Sequence, residues 1–196
     1  MSEKKKILEL ARAADAEGHN ATAFEMFRRV IALDPKKDGA IYSAVYNLLE
    51  IGRISDAESY LNKIRRNAAP KPWLIEVALG QLRLAQFKPI EAEKHFKNAW
   101  KLGRDSTVPA VFLADCLIKQ QKFEEAASVL LAALNAEESI LEEVYLNLGF
   151  IKRAQGDYFS ARNFLLKALE IDPDYQDAKR VLADIELCLN LSRQLE

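Results

Sequence analysis

The sequence predicts an all-α protein built from helix–turn–helix repeats stacked into a solenoid. Three observations lead to this prediction: an alanine followed four residues later by a large apolar residue recurs five times, a turn precedes each alanine, and another amphipathic stretch lies upstream of each turn. The recurring pairs are Ala23 and Phe27, Ala57 and Leu61, Ala92 and Phe96, Ala126 and Leu130, and Ala161 and Leu165.

The spacing of these alanines is nearly constant, at 34, 35, 34 and 35 residues. A fixed period of this length is typical of helical repeat proteins. An alanine and a residue four positions later lie on one face of a helix. The alanine lets a neighbouring helix approach, and the large residue fills the space beside it. Each pair therefore predicts the second helix of one repeat.

The turn before each second helix contains a glycine in three repeats: Gly18, Gly52 and Gly156. Glycine is the usual residue just past the end of a helix. The third and fourth repeats lack it, and Pro89 of the third suits the first turn of the following helix. The sequence leaves open whether the turn of the third repeat is shifted.

Prolines predict where repeats end. Asp34-Pro35 and Asp172-Pro173 follow two of the second helices, and a proline disfavours the helical conformation in the residue before it. Pro70 and Pro72 interrupt the chain after the second repeat.

The first helix of each repeat carries a small residue where the second helix should approach. The clearest case is Leu148-Gly149, with Leu79-Gly80 as a weaker counterpart. Four of the five residues at this position are small enough for close helix contact. The five residues at this position are Ala11, Val45, Gly80, Ala114 and Gly149.

The pattern resembles the tetratricopeptide repeat, and the fifth repeat carries the fullest set of its motif residues. These are Tyr145, Leu148, Gly149, Gly156, Tyr158, Ala161, Leu165, Ala168 and Pro173. The resemblance implies a right-handed superhelical solenoid of about five repeats followed by a C-terminal capping helix. The expected boundaries are 4–37, 38–72, 73–106, 107–141 and 142–175 for the repeats and 176–192 for the capping helix.

Composition excludes several classes of protein. The chain is 49% hydrophobic and 29% charged, which is enough apolar material for a folded core. The net charge of −1 gives no support for nucleic-acid binding. The charge is uneven, +6 over residues 1–104 and −7 over 105–196. This asymmetry is either drift over a solvated surface or a means of orienting a partner.

No enzyme, cofactor or metal site is predicted. The two histidines, His19 and His95, have no ligand-type residue at metal-binding spacing. Cys116 and Cys188 are expected to be buried free thiols, which favours a reducing cytoplasmic location. No apolar run approaches the ~18 residues that a membrane span needs, so no membrane partner is expected.

The expected partner is another protein or a peptide, bound in the concave groove that first helices line in such solenoids. We call the residues predicted to face this groove the inner stripe. Tyr42 and Tyr46, one helical turn apart, are its expected anchors. The alternative is that flanking helices bury part of the stripe. The candidate partner-binding residues are Arg12, Tyr42, Tyr46, Val77, Gln81, Val111, Asp115, Asn147 and Phe150.

Some members of the family hold the C-terminal carboxylate of heat-shock chaperone tails with a clamp of Lys, Asn and Arg residues. The matching positions here are Leu8, Arg12, Ser43, Leu74 and Ala78. Arg12 alone could bind an anion, so we predict that the chain does not bind such tails.

Two further hypotheses stay open. The chain is either the repeat region of a larger enzyme, such as a glycosyl- or sulfotransferase that continues past residue 194, or a self-associating structural repeat protein. The second would form a homodimer through the C-terminal helix, where Leu187 and Leu191 lie off the face expected to cap the fifth repeat.

Overall fold

A computed structural model describes residues 2–35, 37–67, 71–137 and 140–194. Every regular element within these ranges is an α-helix, which confirms the all-α prediction. The helices are α1 (Glu3–Ala16), α2 (Asn20–Leu33), α3 (Asp38–Glu50), α4 (Ile54–Asn67), α5 (Pro72–Ala85), α6 (Pro89–Leu102), α7 (Val108–Lys119), α8 (Phe123–Ala133), α9 (Leu141–Ala154), α10 (Tyr158–Ile171) and α11 (Gln176–Gln194).

The chain forms two compact units, an N-terminal unit of residues 1–102 and a C-terminal unit of residues 103–196. In the N-terminal unit each helix from α1 to α6 packs on the next, and α3 also packs on α5. In the C-terminal unit each helix from α7 to α11 packs on the next, and α9 also contacts α7 and α11. Each unit is therefore a series of helix pairs in which the first helices α3 and α5, or α7 and α9, touch each other.

The recurring alanines lie in the core. All five are fully buried, and the large apolar residues four positions after them are buried too. Burial of a large aliphatic or aromatic side chain contributes roughly 1.5–3 kcal/mol. The repeated pattern therefore marks the main packing contact of each helix pair, as the sequence predicts.

Gly80 and Gly149 lie where two helices approach most closely. A Cβ atom built on Gly80 would lie 2.4 Å from Cε1 of Phe96. The same atom on Gly149 would lie 3.0 Å from Cγ of Leu165. Glycine at these positions lets α5 pack on α6 and α9 pack on α10.

The five turns between first and second helices share one geometry. Gly18, Gly52 and Gly156 have φ of 73°, 73° and 79°, and Phe87 and Gln121 both have φ of 59°. In the first turn the Gly18 N–H donates to the Asp15 carbonyl and the next N–H donates to Ala14, at 3.0 and 2.8 Å. The same two bonds recur in the other four turns, which makes each a Schellman motif. The turn of the third repeat is not shifted, because Phe87 occupies the glycine position.

The ends of the helices follow the prolines and caps. Asp34 and Asp172 follow α2 and α10 with non-helical backbone, and Pro72 begins α5. Pro70 lies outside the described residues. Asp157 caps α10 by accepting a hydrogen bond from the Ser160 N–H at 3.0 Å, which lowers the pKa of the Asp157 carboxyl.

The last helix, α11, covers the end of the C-terminal unit. One face of the helix is buried against α10 and contributes to the same apolar cluster. This face consists of Ala178, Val181, Ile185 and Leu189. Leu187 and Leu191 lie off it and are 60% and 52% exposed.

Candidate functional site

The N-terminal part of the inner stripe centres on two tyrosines of α3. The rings of Tyr42 and Tyr46 stack with centroids 6.1 Å apart and planes at 20°. They meet because residues four apart share one helix face. Tyr46 is 38% exposed, whereas Tyr42 is half-buried beside it. The pair presents an aromatic surface that a partner could reach.

Carboxylates surround this tyrosine pair. Burial raises the pKa of Tyr42 above its usual value, and the negative charges of Glu50 and Asp15 raise it further. Burial also raises the pKa of Tyr46, and its hydroxyl is hydrogen-bonded to Glu50. Both hydroxyls therefore stay neutral at ordinary pH. An aromatic face beside negative charge attracts a cation.

Asn47 holds the Asp15 carboxylate next to the tyrosine pair. Its Nδ2 donates to Oδ1 of Asp15 at 2.7 Å and to the Ser43 carbonyl at 2.8 Å. Because Asn47 is fully buried, these bonds hold the Asp15 carboxylate of α1 against α3. The position of Asp15 beside the tyrosines is thus set by a polar contact within the core.

The remaining N-terminal stripe residues differ in exposure. Arg12 on α1 is exposed, and Gln81 on α5 is half-buried. Val77 is 0% exposed, so it packs beneath the surface and offers no accessible contact area.

In the C-terminal unit the stripe contributes to a cavity of ≈ 370 Å³ between α7 and α9. Three predicted stripe residues, Val111, Asp115 and Asn147, line it together. Phe150 is not part of its wall and packs instead against the apolar cluster under α11.

Four residues outside the predicted partner-binding set complete the wall: Phe112, Ile140, Glu142 and Glu143. The Ile140 N–H donates to Oγ1 of Thr107 at 2.8 Å, which joins the residue before α9 to the residue before α7. The available signal was the position of Glu142 and Glu143 in the first turn of α9, beside the neighbouring first helix.

Three carboxylates make this cavity acidic. Asp115 accepts from Nζ of Lys119 at 2.7 Å, and Glu143 accepts from the hydroxyl of Tyr175. Glu142 forms no ion pair with any residue that the structure describes. Asn147 donates from Nδ2 to the Glu143 carbonyl at 2.9 Å, which orients its amide. The cavity therefore combines apolar walls with an uncompensated negative charge.

Other chemistry-bearing side chains are engaged elsewhere. Nδ1 of His95 lies 2.8 Å from a Glu76 oxygen within the N-terminal unit. Cys116 is buried, as predicted, whereas Cys188 is only partly buried, and neither forms a disulfide. Within ranges 2–35, 37–67, 71–137 and 140–194, no group of histidine, cysteine and acidic side chains could hold a metal ion. No helix in those ranges is long and apolar enough to cross a membrane.

Comparison with known proteins identifies the repeat. Residues 83–141 and residues 142–175 each match the family described as "Tetratricopeptide repeat". No curated protein sequence matches the chain.

Solved structures share its fold. TTC0263, a thermophilic tetratricopeptide repeat protein of Thermus thermophilus, superposes with a TM-score of 0.74 at 19% identity, covering 94% of this chain and 99% of that one. YrrB, a tetratricopeptide repeat protein with an unusual peptide-binding site, gives 0.56 at 19%, covering 89% of each chain. The first tetratricopeptide repeat domain of Spaghetti (RPAP3), solved with the HSP90 peptide SRMEEVD, gives 0.55 at 21%, covering 60% of this chain and 93% of that one.

These likenesses concern the fold, an all-α solenoid of tetratricopeptide repeats. The sequence matches to the repeat cover residues 83–175. The chain therefore contains tetratricopeptide repeats over residues 83–175.

Proposed function

We propose that the chain is a non-catalytic protein-interaction module that binds a peptide or helix of a partner on the inner stripe. The observation that carries the proposal is the cavity between α7 and α9, of ≈ 370 Å³. Ligand pockets of proteins commonly enclose ~300–1,000 Å³ and have mostly apolar walls with a few polar groups. Val111, Phe112 and Ile140 supply such walls here.

The charge of the stripe indicates the chemistry of the partner. Asp115, Glu142 and Glu143 line the cavity, and Asp15 and Glu50 flank the tyrosine pair. Opposite charges across an interface favour association and disfavour the wrong partner. We therefore expect a partner segment in which a lysine or arginine lies next to an apolar residue.

Two of the structural neighbours are named as peptide binders, which supports a peptide as the ligand class. The peptide bound by the RPAP3 domain is acidic. In this chain four of the five positions matching the chaperone-tail clamp hold Leu8, Ser43, Leu74 and Ala78, none of which is a cation, and Arg12 alone could bind an anion. We propose the opposite charge preference for this protein.

The test is selection from a library of random heptapeptides displayed on phage, followed by binding measurements with labelled copies of the enriched peptides. Enrichment of lysine or arginine beside an apolar residue is expected. Glu142→Lys should weaken binding about tenfold, because it reverses a charge at the cavity. Glu170→Lys, the same change at an exposed position of α10, should leave the Kd within about twofold.

Enrichment of acidic peptides, or equal losses in both variants, would contradict the proposal. Tyr46→Ser tests the N-terminal part of the stripe separately. If this variant binds the same peptides with unchanged affinity, the tyrosine pair does not belong to the binding surface. The cavity between α7 and α9 would then be the proposed binding site by itself.

A further inference from the structure

We propose a second binding site between α2 and α4 of the N-terminal unit, which accepts one large apolar side chain of a partner polypeptide together with an adjacent carboxylate. The site is a cavity of ≈ 270 Å³. It lies between second helices, whereas the tyrosine pair lies on the first helix α3. The inference therefore goes beyond the inner stripe.

The walls of this cavity are carbon-rich. Ile31 and Ala32 come from α2, Pro35 lies just after it, and Tyr60 and Ile64 come from α4. The Tyr60 ring meets Phe24 edge-on, with centroids 5.4 Å apart, which fixes this wall. Each apolar group that enters gains roughly 25 cal/mol per Å² of surface removed from water.

The space exists because no side chain of either helix fills it. Helices α2 and α4 each pack directly on α3. One of the α2 residues at the cavity, Ala32, is small and exposed. The gap between the two second helices therefore stays open to solvent.

The volume indicates what the cavity can hold. Drug-sized ligands occupy pockets of roughly 300–1,000 Å³, whereas a benzene-sized guest fills a cavity of about 150 Å³. At ≈ 270 Å³ the site takes one large side chain and leaves the rest of the ligand outside. A polypeptide that inserts a single phenylalanine or leucine meets this requirement.

Charge at the edge of the cavity selects an anion. Arg28 and Lys63 both line it. Nε and Nη2 of Arg28 lie 2.9 and 2.5 Å from Oε2 of Glu25, which offsets the Arg28 charge. Lys63 forms no ion pair with any residue in the described part of the chain. One positive charge is therefore left to meet a carboxylate.

A neutral donor accompanies this charge. Burial raises the pKa of Tyr60 to about 12, although the nearby Arg28 acts in the opposite direction. The Tyr60 hydroxyl therefore keeps its proton and can donate it in a hydrogen bond. Lys63 and Tyr60 make the site complementary to an acidic peptide. The acidic cavity between α7 and α9 would instead favour a basic one.

The experiment is an NMR titration of the full chain, ¹³C-labelled at isoleucine δ1 methyl groups, with the peptide acetyl-Gly-Ser-Asp-Phe-Gly-Ser-amide. We expect saturable shifts of the Ile31 and Ile64 methyls, with Ile118 and Ile151 of the C-terminal unit unmoved. Replacing the aspartate of the peptide by asparagine should weaken binding about fivefold. Replacing its phenylalanine by alanine should abolish the shifts.

Matched protein variants test the two halves of the site. Lys63→Glu should weaken binding about fivefold, whereas Arg65→Glu, the same charge change on the same helix, should leave it within about twofold. Ala32→Phe should fill the cavity and abolish binding, whereas Ala21→Phe, at an exposed position of α2, should not. Unchanged methyl signals of the buried Ile7 on α1 and Ile75 on α5 would show that the N-terminal unit of each variant is folded.

Several results would overturn the proposal. They are absence of shifts at millimolar peptide, equal binding of a peptide carrying lysine in place of aspartate, and unchanged binding by Ala32→Phe. Binding of phenylacetate as tight as that of the peptide would assign the site to small carboxylates and not to a polypeptide.

Discussion

The two Leu-Gly motifs of the chain place a glycine against very different partners. In the N-terminal unit, Gly80 of α5 faces the ring of Phe96, and a Cβ there would come within 2.4 to 2.7 Å of three ring atoms. In the C-terminal unit, Gly149 of α9 faces Leu165, and a Cβ would lie 3.0 and 3.1 Å from two of its atoms. The glycine is thus a strict requirement in one unit and a milder one in the other.

The number of family motif residues in a repeat does not predict how tight its glycine contact is. The fifth repeat carries the fuller set of family residues, yet the tighter contact is in the third. The reason is that the constraint depends on the partner 16 residues later. A fully buried phenylalanine ring is rigid and wide, whereas a leucine can move its branch by a few tenths of an ångström.

The largest expected effect is therefore that of Gly80→Ala, which should lower the free energy of unfolding by about 2 kcal/mol. Overpacking a filled core costs about 1–3 kcal/mol, and this exceeds the gain of up to ~1 kcal/mol that alanine brings to a helix interior. Gly149→Ala should change stability by less than about 0.5 kcal/mol, because the two terms nearly cancel. Urea unfolding followed by circular dichroism measures both.

A double-mutant cycle of Gly80→Ala with Phe96→Leu sharpens this comparison. The double variant would carry the same alanine and leucine pair that the fourth repeat has at Ala114 and Leu130. We expect a favourable coupling energy of about 1 kcal/mol or more between the two substitutions. Additive effects, or equal losses for Gly80→Ala and Gly149→Ala, would contradict the steric explanation.

The sequence predicted the helices and turns well because they depend on local rules. The period of the alanines located each second helix, and the glycines located three of the five turns. Phe87 and Gln121 were harder, because their left-handed conformation follows from the shared Schellman hydrogen bonds and not from their own preference.

The candidate site was only partly predictable, because exposure depends on contacts between helices. The sequence pattern predicts that Val77 of α5 and Tyr46 of α3 both face the groove, but the valine is 0% exposed and the tyrosine is 38% exposed. Glu142 was missed for the opposite reason. It occupies an ordinary helix start, and only the neighbouring α7 turns that position into a cavity wall.

Each unit has a contact that links the first helix of a repeat to a residue that follows the second helix of that repeat. In the C-terminal unit the hydroxyl of Tyr175 donates to Glu143 across 32 residues. In the N-terminal unit a comparable link is the ion pair of Lys4 and Asp34 at 3.1 Å, whose side chains are 47% and 29% exposed. Tyr175→Phe should cost about 1.5 kcal/mol, as expected for a hydrogen bond to a charged group. Lys4→Met should cost less than about 1 kcal/mol. Urea unfolding of both variants measures the difference.

The contribution of the Tyr175–Glu143 hydrogen bond to stability should depend on pH. Burial and the Glu143 hydrogen bond raise the pKa of Tyr175 in the folded chain above its usual value of 10.0. The neutral tyrosine therefore contributes stability that is complete below about pH 10 and is lost as the pH rises above it. The difference in unfolding free energy between the natural chain and Tyr175→Phe should shrink as the pH rises above about 10. A constant difference would argue against the hydrogen bond as its source.

The turns of the two units can be compared in the same way. Phe87 and Gln121 adopt positive φ where three equivalent turns have glycine, and an L-residue there costs about 1–2 kcal/mol. Phe87→Gly removes this strain and loses no packing, because the side chain is 93% exposed. Part of the gain is offset by the extra entropy of glycine in the unfolded chain. We expect Phe87→Gly and Gln121→Gly each to raise the free energy of unfolding by about 1 kcal/mol.

The reciprocal change gives the matched control for this comparison. Gly52→Ala should lower stability by about 1 kcal/mol, since open space surrounds the position and only its φ of +73° opposes a side chain. If Phe87→Gly instead destabilises the chain, the exposed ring makes a contact that outweighs the strain. A gain at Gln121 but not at Phe87 would locate that contact in the N-terminal unit, because both residues have the same φ and the same two turn hydrogen bonds.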